Sequence, residues 1–177
     1  MLLCACGSTD SPTPANGPAA FVPLCQRGGL ACNADSEKNA PNLLGAYMGT
    51  GQTLGTTNSL WTVGDMNTFD ALITGQTGDT LNGTFDMGSL HLDIKSGQIR
   101  GTAQSFTIFG TDTVSQDSCN TEVMAVIVGT RQAGGPLTGK LALEFTKNIS
   151  GSGCTADQLN GYPGTGAVFN YTAAANQ

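Results

Sequence analysis

Charge is scarce in this chain: Asp, Glu, Lys and Arg make up 11% of its 177 residues, against about 25% in an average soluble domain. Long solvated helices built from Glu and Lys are excluded at that density. Lys and Arg number 7 against 13 Asp and Glu, for a net charge of −6, so the basic footprint that a nucleic-acid backbone requires is missing. Histidine occurs once, at His91, which denies general acid–base chemistry its most frequent residue. The row Ser89, His91, Asp93 shares one strand face, but neighbours two apart on a strand stand about 7 Å apart, too far for a catalytic triad. The reading is therefore of a non-enzymatic protein. No Cys-x-x-Cys pair, no phosphate-binding Gly motif opening a helix and no EF-hand order occur, so no metal and no cofactor are expected. No apolar run reaches the roughly 18 residues of a membrane-spanning helix.

Glycine, by contrast, is plentiful, with 25 residues. From Asn42 onward apolar residues recur with period two between short Gly-bearing turns, the pattern of an antiparallel all-β domain. In 137–145, Leu137, Gly139, Leu141, Leu143 and Phe145 share one face, while Thr138, Lys140, Ala142 and Glu144 share the other. Eight or nine strands are expected, at 43–53, 60–64, 68–74, 80–85, 89–95, 98–109, 122–130, 137–147 and 165–172. Turns are expected at Gly75 to Asp79, Asp86-Met87-Gly88, Ser96-Gly97 and Ala133 to Pro136. Connections this short make the chain a meander of sequential hairpins. Gly83, Gly101 and Gly139 fall on apolar strand faces, where a missing side chain permits the curvature that closes a small barrel; a β-sandwich with Gly at its bulges is the alternative. One strand does not alternate. The run 123–128 (VMAVIV) must be covered on both faces, its outer side by the Cys25 to Cys32 segment, a partner protein or a membrane surface.

At the start of the chain, Leu3-Cys4-Ala5-Cys6 followed by Gly7 and Ser8 resembles the lipobox of bacterial lipoproteins. The resemblance implies removal of residues 1–5 as a signal remnant and acylation of Cys6, with palmitate-type chains anchoring the protein in a membrane. Gly7 after the modified cysteine implies, by the same resemblance, the outer membrane of a Gram-negative envelope. Thr9 to Pro23, with Pro12, Pro14, Pro18 and Pro23, reads as a stiff tether unable to continue a helix. Residues 6–41 are then the tether and the Cys25 to Cys32 loop, and 42–177 the barrel domain. With Cys6 acylated, Cys25, Cys32, Cys119 and Cys154 remain, an even number that suits disulfides in an oxidising compartment. Of three connectivities, Cys25 with Cys32 and Cys119 with Cys154 is favoured.

Gly45-Ala46-Tyr47 near the first strand resembles the Gly-x-Trp signature of lipocalins, with Tyr47 in the place of Trp. A lipocalin-like barrel implies an interior that holds a small apolar ligand. Phe69, Ile73, Leu92, Ile99, Leu141, Leu143 and Phe145 are the candidate lining. The expected function is ligand binding by an envelope lipoprotein. The alternative is a structural or adhesion lipoprotein with a filled core, contacting an envelope protein or glycan through the strand carrying Val123, Met124, Val126 and Val128.

Overall fold

The computed structural model describes residues 18–32, 39–116, 118–131 and 135–176. The lipobox around Cys6 and most of the tether lie outside the described residues.

Eight antiparallel strands form one closed barrel in sequence order: β1 (Gly45–Thr56), β2 (Met66–Thr77), β3 (Thr80–Met87), β4 (Leu90–Gly101), β5 (Ser105–Gln116), β6 (Cys119–Arg131), β7 (Leu137–Ser150) and β8 (Gly166–Ala175). Closure comes from β8 pairing with both β7 and β1. Alternation decides which side chains enter. Tyr47, Phe69, Phe85, Leu92, Leu141, Phe145, Phe169 and Tyr171 point inward and are at most 3% exposed, whereas Thr68, His91, Lys140 and Asn170 face outward and are exposed. The interior is packed with rings: Phe69 stacks on Tyr171 at 4.4 Å, and Trp61 meets Phe145 at 6.2 Å and Phe169 at 5.5 Å.

Rings this large need small neighbours. The Tyr171 hydroxyl donates to the Val128 carbonyl at 3.2 Å, passing over the cross-strand pair Gly129 and Gly139. A Cβ on Gly129 would stand 2.4 Å from that hydroxyl, and one on Gly139 would stand 1.9 Å from the Val128 carbonyl oxygen. Gly139 is thus required by space on the inner wall.

The sequence and the structure part company at four places. The segment 60–64 is not a strand but lies in the connection from β1 to β2; Asn58 Oδ1 accepts from Leu60 N–H at 2.9 Å and Gly64 takes a φ of +94°, which turns the chain and folds Trp61 inward. Ser96-Gly97 is not a turn. Both residues lie inside β4, where Ser96 has a φ of +56° and the register against β3 shifts between Leu81 and Gly83, a β-bulge. The expected strand 98–109 is split by the β4–β5 hairpin, in which Thr102 N–H donates to Ser105 O. Finally, residues expected to lie in a non-helical tether form a 3-10 turn (Pro18–Phe21) and a helix, α1 (Val22–Arg27). Pro23 falls in the first turn of α1, where its missing N–H leaves no bond unmade.

That helix is the cover required by 123–128. On the outer wall, Phe21 (0% exposed), Leu24 and Cys25 pack against Phe109, Val126 and Ala142, with Phe21 5.5 Å from Phe109. Arg27 pairs with Glu144 on β7. A disulfide from Cys25 to Cys32 closes the strap on itself.

The two ends of the barrel differ. At one, residues 39–44 cross the opening. Gln76 binds this segment twice, accepting from Leu43 N–H at 2.8 Å and donating to Pro41 O at 3.0 Å, and Leu43 is buried beneath it. Arg131 donates to Asn42 O and lies over the Tyr47 ring, 5.8 Å from its centroid. The other end carries the longest connections, from β1 to β2 and from β7 to β8, and forms a mouth.

Candidate functional site: the barrel mouth

Two loops and one parted seam shape the mouth. Between β7 and β8 the chain forms a second short helix, α2 (Ala156–Gly161), started by a reciprocal capping box: Gln158 N–H donates to Thr155 Oγ1 at 3.2 Å, and Thr155 N–H donates to Gln158 Oε1 at 2.8 Å. The Cys119–Cys154 disulfide, with its Cα atoms 4.6 Å apart, ties the segment before α2 to the first residue of β6. From the β1–β2 loop, Asn58 donates through Nδ2 to Thr165 Oγ1 at 2.8 Å, locking the two loops together.

Opposite α2 the wall itself opens. β4 pairs with β5 only from Gln98 with Phe109 to Gly101 with Phe106. Beyond this the side chain of Ile94 occupies the space beside Gly110, where a Cβ would meet it at 2.5 Å. Toward the mouth, the Asp112 carboxylate bridges the gap, accepting from Asp93 N–H at 2.8 Å and from Thr113 N–H at 2.7 Å.

The resulting cleft has a volume of about 320 Å³ and is lined by Leu60 and Trp61 from the first loop, Ser89 and Leu90 at the start of β4, Val114 and Ser115 on β5, Phe145 on β7, and Gln158 and Tyr162 in and just after α2, with Cys119 and Thr121 of β6 completing it. Trp61, Phe145 and Tyr162 make a continuous aromatic wall, with Phe145 5.1 Å from Tyr162. Among the described residues, no acidic or basic side chain lines it. Leu60, Val63 and Leu159 stand exposed on the two mouth loops.

All seven side chains expected from the sequence to line a cavity (Phe69, Ile73, Leu92, Ile99, Leu141, Leu143 and Phe145) are buried in the interior cluster. They pack there against one another and the aromatic rings, and of the seven only Phe145 reaches the mouth cleft. Leu143 also borders a second cleft of about 310 Å³, on the outer wall between α1 and the 164–168 segment. On the strand 123–128, Val123 points into the core, Val126 lies under α1, and Met124 and Val128 flank it half-buried. Ser89, His91 and Asp93 take separate partners or places: His91 Nδ1 is 2.6 Å from Asp86 on the outer wall, Asp93 pairs with Lys95, and Ser89 lines the mouth.

Sequence reasoning did not single out Trp61, Leu90, Gln158 or Tyr162 as site residues. One signal for α2 was present, since Thr155 followed three places later by Gln158 has the spacing of a capping box. Isolated in a Thr- and Gly-rich loop, the chain's single Trp was the other.

Two buried tyrosines complete the electrostatics of the interior. Burial pushes the Tyr171 hydroxyl far above the ordinary phenol range, and burial also raises that of Tyr47, partly offset by the nearby Arg131 guanidinium. Among the described residues, no group of three or more His, Cys, Asp and Glu is arranged to hold a metal ion. No family model, curated protein or solved structure matches the chain, so the role of this mouth is argued from its own chemistry.

Proposed function

We propose that the protein is a non-enzymatic binding module that holds a small apolar molecule at the mouth of its barrel, carried on a membrane surface by an acylated Cys6. The observation that carries the binding reading is the aromatic cleft of about 320 Å³ at the end opposite the one that residues 39–44 cross. Its size falls within the range of small-molecule sites, and its apolar lining with a few polar groups matches their usual character. The interior beyond it is filled by side chains, which moves the ligand from the barrel axis, where a lipocalin-like barrel implies it, to the rim.

The chain supplies its own test. Trp61 is the sole tryptophan and lines the cleft, so its emission reports occupancy. Titration with the apolar dye N-phenylnaphthylamine is expected to quench Trp61 while the dye brightens, and Leu90→Asp is expected to abolish both changes. An unchanged Trp61 signal at saturating dye refutes the reading.

The anchor rests on Leu3-Cys4-Ala5-Cys6 and receives support from the two disulfides, bonds that persist in oxidising compartments outside the cytoplasm. An outer-membrane location follows only through the resemblance of Gly7 to the sorting position. Labelling cells with a palmitate analogue, followed by membrane fractionation, is expected to mark the full-length protein and not Cys6→Ser; label on both, or on neither, refutes acylation at Cys6.

A second reading, an interaction lipoprotein with no ligand, is favoured by the filled interior and by the exposed Met48 and Leu72 on the outer faces of β1 and β2. It takes precedence if the dye titration is silent.

A further inference from the structure

Resting on the mouth as the binding site, we infer that its ligand is an uncharged, flat, ring-containing molecule with a hydrogen-bond acceptor at one edge, such as an aryl ketone, directed at the amide nitrogen of Gln158. Three observations converge on this class.

First, among the described residues the lining holds no acidic or basic side chain. A carboxylate, phosphate or ammonium placed there would lose its hydration with no counter-charge to replace it. Second, the wall is made of rings in near-parallel sequence: Trp61 and Phe145 lie 22° apart in plane, and Phe145 and Tyr162 31°. With centroids 6.2 and 5.1 Å apart the rings form a stack, which a planar guest extends by laying its own face on an end ring in the offset stacking that aromatic groups prefer. Third, Gln158 is a polar side chain only 8% exposed that lines the cleft. Its Oε1 is committed to Thr155 N–H in the capping box, so the orientation of its amide is fixed by the start of α2. Of its two polar side-chain atoms this leaves Nε2 to meet a guest, and its pair of hydrogens matches a ligand carbonyl or ether oxygen.

The experiment is calorimetric titration of the intact protein with three probes of equal shape: methyl naphthyl ketone, ethylnaphthalene and naphthoate. The ketone is expected to bind about tenfold more tightly than the hydrocarbon, the span of one well-placed hydrogen bond in a buried site, and naphthoate at least tenfold more weakly than the ketone. Two variants locate the donor. Gln158→Glu keeps an acceptor for Thr155 N–H but removes the amide donors, and Gln158→Met keeps the bulk and removes both. In each, the ketone-to-hydrocarbon preference is expected to collapse to within twofold. Ketone and hydrocarbon binding equally to the native chain, naphthoate binding best, or a preference that survives both substitutions overturns the inference while leaving the mouth as a site. Failure of all three probes to bind overturns the site, and the inference with it.

Discussion

Replacing Gly139 by Ala adds a single methyl group, yet the structure makes it one of the most damaging changes available. The new Cβ would lie 1.9 Å from the Val128 carbonyl oxygen and 2.9 Å from the Tyr171 hydroxyl, where unstrained carbon contacts lie at about 3.5–4.0 Å. The obstructing atom is backbone in the middle of the β6–β7 pairing, so no rotamer change relieves it and the two strands must part by more than an ångström. Two ladder hydrogen bonds at about 1 kcal/mol each, with about 1–2 kcal/mol for packing lost around the displaced Tyr171, give a loss of about 3–4 kcal/mol. Against a typical total of about 5–15 kcal/mol, that removes a large part of the stability. Urea unfolding followed by Trp61 emission measures it, and calorimetry should show the midpoint falling by about 10 °C. Gly161→Ala is the control. Its Cβ meets nothing within 4 Å and it ends α2, so a gain of about 0.5 kcal/mol is expected. Removing the Tyr171 hydroxyl as well relieves only the milder contact, so Gly139→Ala with Tyr171→Phe stays as unstable as Gly139→Ala alone. A loss below 1 kcal/mol for Gly139→Ala would refute the close backbone approach.

Three further outcomes follow from the same structure. Replacing Cys119 and Cys154 by Ser opens a loop closed across a separation of 35 residues and is expected to cost about 3.8 kcal/mol by the chain-entropy estimate, against about 2.5 kcal/mol for the Cys25 and Cys32 pair; the reverse order in urea unfolding would contradict the assignment of the larger constraint to the mouth. Phe21→Ala empties a fully buried contact with Phe109 on the outer wall and is expected to lose about 3 kcal/mol and to gain binding of anilinonaphthalene sulfonate; neither change appearing would mean that α1 does not cover the sheet. At high pH the unfolded chain ionises its tyrosines near pH 10 while buried Tyr171 stays neutral. Stability should hold below about pH 10 and then fall, Tyr171 contributing about 1.4 kcal/mol per pH unit. Tyr171→Phe should flatten that slope, and an unchanged slope would remove Tyr171 as its source.

The barrel was legible because its signals are local. The alternation of Leu141 and Leu143 against Lys140 and Ala142, and the Gly-bearing hairpin at Gly88, fix period and connection within a few residues. The unbroken apolar run 123–128 even announced a covering element, although which residues supply it depended on Phe21 and Leu24 finding Phe109, a contact across more than eighty positions. The misreadings have local causes too. Ser96-Gly97 has the composition of a tight turn, and the same pair serves a bulge when the strand continues past it. Leu60 and Trp61 have strand propensity, which the Asn58 side chain and Gly64 override. The mouth was nearly illegible: Trp61, Leu90 and Val114 come from three separate segments and Gln158 and Tyr162 from a fourth, without shared periodicity, and only closure of the ring brings them together.

The short β4–β5 pairing gives the ring a preferred line of tearing. Every other boundary between neighbouring strands is longer, so heat or force should unzip the wall there first, from the mouth inward to Gln98 and Phe109, leaving one curved eight-stranded sheet still joined along its remaining seams. A guest seated between Leu90 and Val114 would straddle that tear and staple it shut, so occupancy should be read most clearly in slowed amide exchange along 90–95 and 110–115, away from the crossed end.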